Sequence, residues 1–167
     1  MQGTSYRYYL LALVALYISS QAYSVEICVE GDTFEIVFEK RGWDGAKASC
    51  ESKGGQLAVL ATKSVNLGVR SYLRDNDIGS QFGQGGLWIG FEDKKDENQY
   101  RWIDDTPWEY TNWQDNQPNN NYRKDSCHGQ DCGQLWKYPR KKPGFKWDDD
   151  YCFRLKPYIC QYKNACV

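Results

Sequence analysis

The chain has 167 residues, with 21 Lys and Arg against 22 Asp and Glu, for a formal charge of −1. That length suits one compact domain, and the near-neutral balance excludes general nucleic-acid binding, which needs a strongly basic face. A single histidine, with no nucleophile-elbow or metalloprotease motif, argues against an enzyme.

In chain order, Arg7 is followed by the apolar run Leu10–Ile18 and then by small residues to Ser24. This order of charged head, short apolar core and small-residue exit is that of a secretory signal peptide. Cleavage fits after Ala22 or after Ser24, so residues 1–24 are expected to be removed and 25–167 to form the domain. The run is too short to cross a bilayer, which takes roughly 17 to 25 apolar residues, and no second such run occurs. Seven cysteines in a short exported chain read as a disulfide framework. The odd count leaves one free or paired with another chain.

Phe34, Ile36 and Phe38 alternate with Glu35, Val37 and Glu39, the period of a half-buried strand. Trp43, Ala46 and Cys50 share one helical face, and Gly54-Gly55 ends that helix. Leu57 and Val59 suggest a short strand. From Ser64, read as an N-cap, Val65, Val69, Tyr72 and Leu73 mark a second amphipathic helix. Leu87–Phe91 and Tyr100–Ile103 read as strands, as do Cys132–Trp136, Phe145–Trp147 and Tyr158–Tyr162. Between them Asp104–Gln130 is long, polar and aperiodic, a length that in a compact domain is usually functional or disordered. Helices first and irregular sheet afterwards is an α+β pattern.

Six motifs then occur in order: WDGAKASC (43–50), WIGF (88–91), WQDNQPN (113–119), QDCGQLW (130–136), WDDDYC (147–152) and YIC (158–160). Together they resemble the C-type lectin-like domain family over nearly the whole of 25–167, with Asn116 where the family usually has Gly. The resemblance implies two helices flanking small antiparallel sheets, with a long calcium-binding loop. It implies bridges Cys50–Cys160 and Cys132–Cys152, with Cys28–Cys166 as a third between the two ends of the domain. Cys127 competes with Cys132 for Cys152; Leu135 and Trp136 favour Cys132, leaving Cys127 as the odd thiol, able to link two chains into a homodimer.

The cofactor implied is Ca²⁺, which takes roughly six to eight hard oxygen ligands. The family's ligand positions fall on Gln117, Asn119, Gln130, Asp148 and Asp149, around Pro118, where the family has a cis peptide. Only two of the five carry charge, so a working but weaker site is expected, because affinity rises with ligand charge. Asp93, Glu97, Asn120 and Asp131 match an auxiliary calcium position, or form a solvated acidic loop. Carbohydrate is the implied partner, on glycoproteins, cell surfaces or microbes, held by Gln117, Asn119, Tyr122, Gln130 and Asp148. Gln117 agrees with the family's galactose type and Asn119 with its mannose type. The long loop and Tyr122, placed as an aromatic platform, favour galactose or N-acetylgalactosamine.

Other readings compete. The loop could belong to a calcium-independent structural, protein-, mineral- or ice-binding domain. Cys127, His128 and Cys132 could form a zinc cluster, though secretion favours disulfides. Lys137, Arg140, Lys141, Lys142 and Lys146, with Tyr138, form a basic stretch that reads as a solvated hairpin or as a contact for sulfated glycans or anionic envelopes. Gly83–Gly86 lacks the setting of a phosphate cradle and reads as a loop.

Overall fold

A computed structural model describes residues 23–122 and 129–167; most of the expected signal peptide (residues 1–22), and Cys127 and His128, lie outside the described residues. The first element is one the sequence reading missed. Strand β1 (Ser24–Val29) pairs antiparallel with β2 (Asp32–Arg41) through a two-residue turn, Glu30-Gly31, with both residues at positive φ. That geometry matches the right-handed twist of the flanking strands. β2 itself is not half-buried as its alternation suggests. Phe34, Glu35, Ile36 and Val37 are all buried, because β2 lies inside the sheet between β1 and β8 (Lys156–Tyr162) with both faces covered. Glu35 is tolerated there because Lys53 Nζ and the Tyr162 hydroxyl both donate to its carboxylate.

Helix α1 (Trp43–Ser52) buries Trp43, Ala46 and Cys50, the face its spacing predicts, and ends at Gly54, whose φ of +79° suits glycine. β3 is only Gln56–Leu57. Helix α2 (Lys63–Asp75) is capped two residues before the expected position. Thr62 is its N-cap, its Oγ1 accepting the Val65 amide at 3.3 Å, while Ser64 lies within the first turn. Its buried face carries Asn66 and Arg70 along with Val69 and Leu73, and the expected Val65 and Tyr72 are half-buried against the same core.

β4 (Gly86–Glu92), the two-residue β5 (Arg101–Trp102), β6 (Cys132–Trp136) and β7 (Trp147–Asp150) complete the sheet. Gly86, expected in a loop, opens β4. β7 begins at Trp147 because Phe145 sits at a φ of +49°, which ends extended pairing there. The strand order is β1-β2-β8-β4-β6-β7, with β3 on β8 and β5 on β4. The expected small antiparallel sheets are joined into one mixed sheet by a parallel contact between β4 and β8 at Trp88 and Tyr158.

The long loop is held by aromatic packing. Phe91 makes edge contacts with Tyr100, Trp102, Trp108 and Trp113 at 5.3 to 5.7 Å between ring centroids. Trp147, fully buried, ties the loop to β7: its amide donates to Asn112 O, its carbonyl accepts from Gln114, and its indole donates to Asn66 on α2. Bridges Cys50–Cys160, Cys132–Cys152 and Cys28–Cys166 are all present. The pairing of Cys132 removes it from any zinc cluster.

Two stability outcomes follow from this packing. A Cβ at Gly133 would lie 2.4 to 2.5 Å from the Phe91 ring, so Gly133→Ala is expected to cost about 1–3 kcal/mol by overpacking, read as a lowered denaturation midpoint. Replacing Cys50 and Cys160 by Ala is expected to cost about 2–5 kcal/mol, since that bridge closes a loop spanning most of the domain.

Candidate functional site

The site is built on β7, where Asp148, Asp149 and Asp150 follow Trp147 and are all buried. Strand alternation sends Asp149 to one face and its two neighbours to the other. Asp149 faces the loop and binds its backbone: Oδ1 accepts the Asn119 amide at 3.0 Å and Oδ2 the Asn120 amide at 2.6 Å. Burial pushes its carboxyl up, and these two amides oppose that shift.

The loop closes on itself around those contacts. The Asn121 amide donates to Gln130 Oε1 at 2.9 Å and to Asn119 Oδ1 at 3.1 Å, and the Gln130 amide donates to Asn120 Oδ1 at 2.8 Å. Asn116 has a φ of +65°, a conformation that favours glycine but that Asn tolerates better than most residues, which accounts for Asn at the family's Gly position. The Gln117–Pro118 peptide is cis. Gln117 Oε1 is buried and has no hydrogen-bond partner among the described residues.

On the opposite face of β7, Asp148 Oδ2 accepts from Gln134 Nε2 at 2.6 Å. Burial, then the neighbouring Asp149 charge, pushes the Asp148 carboxyl up to about 7. Burial would also raise Asp150, but the Lys156 ammonium, with Arg154 and the Tyr151 amide, holds it below the usual carboxylate range. Lys156, 4 % exposed, bonds Asp150 and Gln134 and lies 4.4 Å over the Trp88 ring. Gln134, Asp150, Arg154 and Lys156 were missed from sequence. The signal available was spacing by two: Gln134 follows Cys132, and Asp150 follows Asp148, on shared strand faces.

Gln117, Asn119, Gln130 and Asp148 therefore converge on one groove of about 1190 Å³, which Tyr122, 70 % exposed, also lines. Asp149 stands behind it, gripping the loop. The auxiliary set is split. Asp93 is buried; its Oδ2 accepts the Asn98 amide and its Oδ1 has no hydrogen-bond partner among the described residues. Burial, with Glu97 and Asp131 adding repulsion, pushes the Asp93 carboxyl up to about 7. Asn120 instead serves Asp149 and Gln130. Burial raises the Tyr100 hydroxyl, and the charges of Asp149, Asp93, Glu97 and Asp131 add to that shift. Among the described residues, no three acidic, His or Cys side chains alone form a metal cluster; the oxygen set depends on amide carbonyls.

Comparison with known proteins agrees with this architecture. Residues 39–162 match the family model described as Lectin C-type domain. Salivary C-type lectin 2 of Aedes albopictus is 30% identical over 140 residues, covering 83% of this chain and 89% of that protein. The human scavenger receptor C-type lectin carbohydrate-recognition domain aligns with a TM-score of 0.67 at 25% identity, over 83% of this chain and 95% of that one. A calcium-independent type II antifreeze protein aligns with a TM-score of 0.60 at 26% identity, over 83% and 96%. The motif order, the bridges and the family match agree: the chain belongs to the C-type lectin domain family.

Proposed function

We propose that this domain is a secreted lectin that binds carbohydrate through a calcium ion, and that its role is binding and not catalysis. The observation that carries the reading is Gln117 Oε1, a buried carbonyl oxygen without a hydrogen-bond partner among the described residues, in the same groove as Asn119, Gln130 and Asp148. A buried acceptor left unpaired costs roughly 1–3 kcal/mol, and a hard cation relieves it. The chemistry fits: these are oxygen donors of the kind Ca²⁺ takes, and Asp148 and Asp149 beside them bring the two carboxylates of the set. Gln117, Asn119, Gln130, Asp148 and Asp149 would hold the ion, which supplies a docking point for paired sugar hydroxyls. Asp93, Glu97, Asn120 and Asp131 would hold an auxiliary ion.

For the sugar, galactose or N-acetylgalactosamine is favoured over mannose. Gln117 supports this, as does Tyr122, whose exposed ring borders the groove and can stack on the apolar face of galactose. The partners are glycans of glycoproteins, cell surfaces or microbes. A salivary relative supports an extracellular location, and no helix among the described residues is long and apolar enough to cross a membrane. Of the two cleavage points, the one after Ala22 leaves β1 whole and keeps Tyr23, whose carbonyl accepts the Phe38 amide. The odd Cys127 is proposed to link two chains, and a monomer in non-reducing gels with an alkylatable Cys127 refutes that.

One observation favours a second reading, a calcium-independent domain like the antifreeze protein. Both Asp149 oxygens are already bonded to loop amides, and the Lys156 ammonium already neutralises Asp150, so the loop is braced without an ion.

Elution from immobilised galactose by a chelator separates the two. In the wild type, calcium is expected to raise the melting temperature, as any ligand of the native state does. Gln117→Ala is expected to abolish that rise and weaken calcium-dependent retention about tenfold or more, with the melting temperature in chelator unchanged. Retention that persists in chelator favours the second reading. Tyr122→Ala is expected to weaken galactose binding and spare the calcium-induced rise. Release by mannose but not by galactose, at equal concentration, overturns the choice of sugar.

A further inference from the structure

The groove does not end at the proposed ion site. Its far wall is formed by the connection between β6 and β7, where Trp136, Lys137, Tyr138 and Arg140 line it. This stretch is the basic hairpin noted in the sequence, and the carbohydrate reading leaves it without a role.

The charges along the groove are segregated. It is lined by four cations, Lys137, Arg140, Arg154 and Lys156, and by two carboxylates, Asp148 and Asp150. Arg154 and Lys156 both pair with Asp150, so that carboxylate is already engaged, and the cluster of two cations and one carboxylate keeps a net positive charge. Lys137 donates to the Phe82 and Gly83 carbonyls, and among the described residues no carboxylate pairs with its charge. Arg140 is exposed and forms no salt bridge among the described residues, and Lys141 and Lys142 follow it on the surface.

The wall is also built to hold a shape. Trp136 and Tyr138 stack with ring centroids 4.5 Å apart and planes 17° apart, and Tyr138 remains 46 % exposed. The base of the turn is pinned from the core side. Arg70 on α2, 7 % exposed, donates through Nε and Nη2 to the Gly144 carbonyl at 2.8 and 2.7 Å, and the Gly144 amide donates to Tyr138 O at 2.9 Å. A positively charged, aromatic-faced wall continuous with a sugar site has the chemistry for an acidic sugar: the flat rings face a pyranose and the cations take its anionic group.

We propose that the groove binds an acidic oligosaccharide, with one neutral sugar at the loop of Gln117 and Asn119 and the sulfate ester or carboxylate of a neighbouring sugar on Arg140 and Lys137. This rests on the carbohydrate reading for its neutral end only. Specificity then comes from the difference between the acidic ligand and its neutral counterpart, and the acidic contact weakens as salt screens it.

The test uses three matched galactose-containing oligosaccharides, one neutral, one sulfated and one carrying a carboxylate, each titrated with calcium and with chelator. The wild type is expected to bind at least one acidic form about tenfold more tightly than the neutral one, with the advantage shrinking as salt rises. The sulfated and carboxylated arms identify which anion is taken. Arg140→Glu, at an exposed position that the fold does not use, is expected to remove the advantage and leave neutral binding unchanged. Tyr138→Ala is expected to lower acidic binding more than neutral. Equal binding of all three forms by the wild type, or an equal loss of neutral and acidic binding in Arg140→Glu, overturns the proposal. Acidic binding that survives chelator, with no neutral binding, keeps the basic wall and rejects the calcium reading; no binding of any form rejects both.

Discussion

The site depends on burying three consecutive carboxylates, Asp148, Asp149 and Asp150, on one short strand. A buried charge is tolerated only when paired and hydrogen-bonded, and β alternation prevents one partner from serving all three. Asp149 turns to the loop and takes two backbone amides. Asp150 turns the other way and takes an ammonium and a guanidinium. Asp148 shares that face but receives only the Gln134 side-chain amide, and it is the one pushed up to about 7. The charge deficit therefore falls on the residue that lines the groove beside Gln117, Asn119 and Gln130.

The rest of the fold keeps that strand in place. Trp147 immediately precedes the carboxylates; its amide and carbonyl bond the loop at Asn112 and Gln114, and its indole bonds Asn66 on α2. The rings around Phe91 fill the space between this strand and the start of the long loop. Gly133, beside Asp149 in the sheet register, gives Phe91 the room it needs. Core packing, loop placement and carboxylate placement are thus one construction. The first part of the long loop has little secondary structure of its own, and Trp108, Tyr110 and Trp113 hold it by packing against the core.

Much of this was legible in the sequence because it is local or periodic. The buried face of α1 and the span of β6 are visible in residue spacing, and the three bridges are those that the family resemblance implies. What was not legible depends on partners far along the chain. β1 hid behind the small-residue exit of the leader-like segment, and its hydrogen bonds go to β2. The N-cap moved from Ser64 to Thr62 because two hydroxyls compete within two residues, and only backbone geometry selects between them. The pairing of Lys156 with Asp150 and Gln134 links three strands, and no window of sequence contains all three.

The formal charge of −1 is itself a case of such concealment. It excludes a basic protein, yet it averages over a surface on which opposite charges are kept apart. The groove lining holds Asp148 beside neutral amides, and also Lys137 and Arg140, which have no carboxylate partner among the described residues. Arg154 and Lys156 share the single carboxylate of Asp150, Lys156 buried and Arg154 exposed. Charges of opposite sign presented at separate places on one groove distinguish a cation from an anion better than a net charge suggests. The hairpin between β6 and β7 carries both kinds of group, with Gln134 beside Asp148 at its base and the exposed Arg140 at its turn, so the proposed preference for an acidic sugar rests on how this one connection is folded.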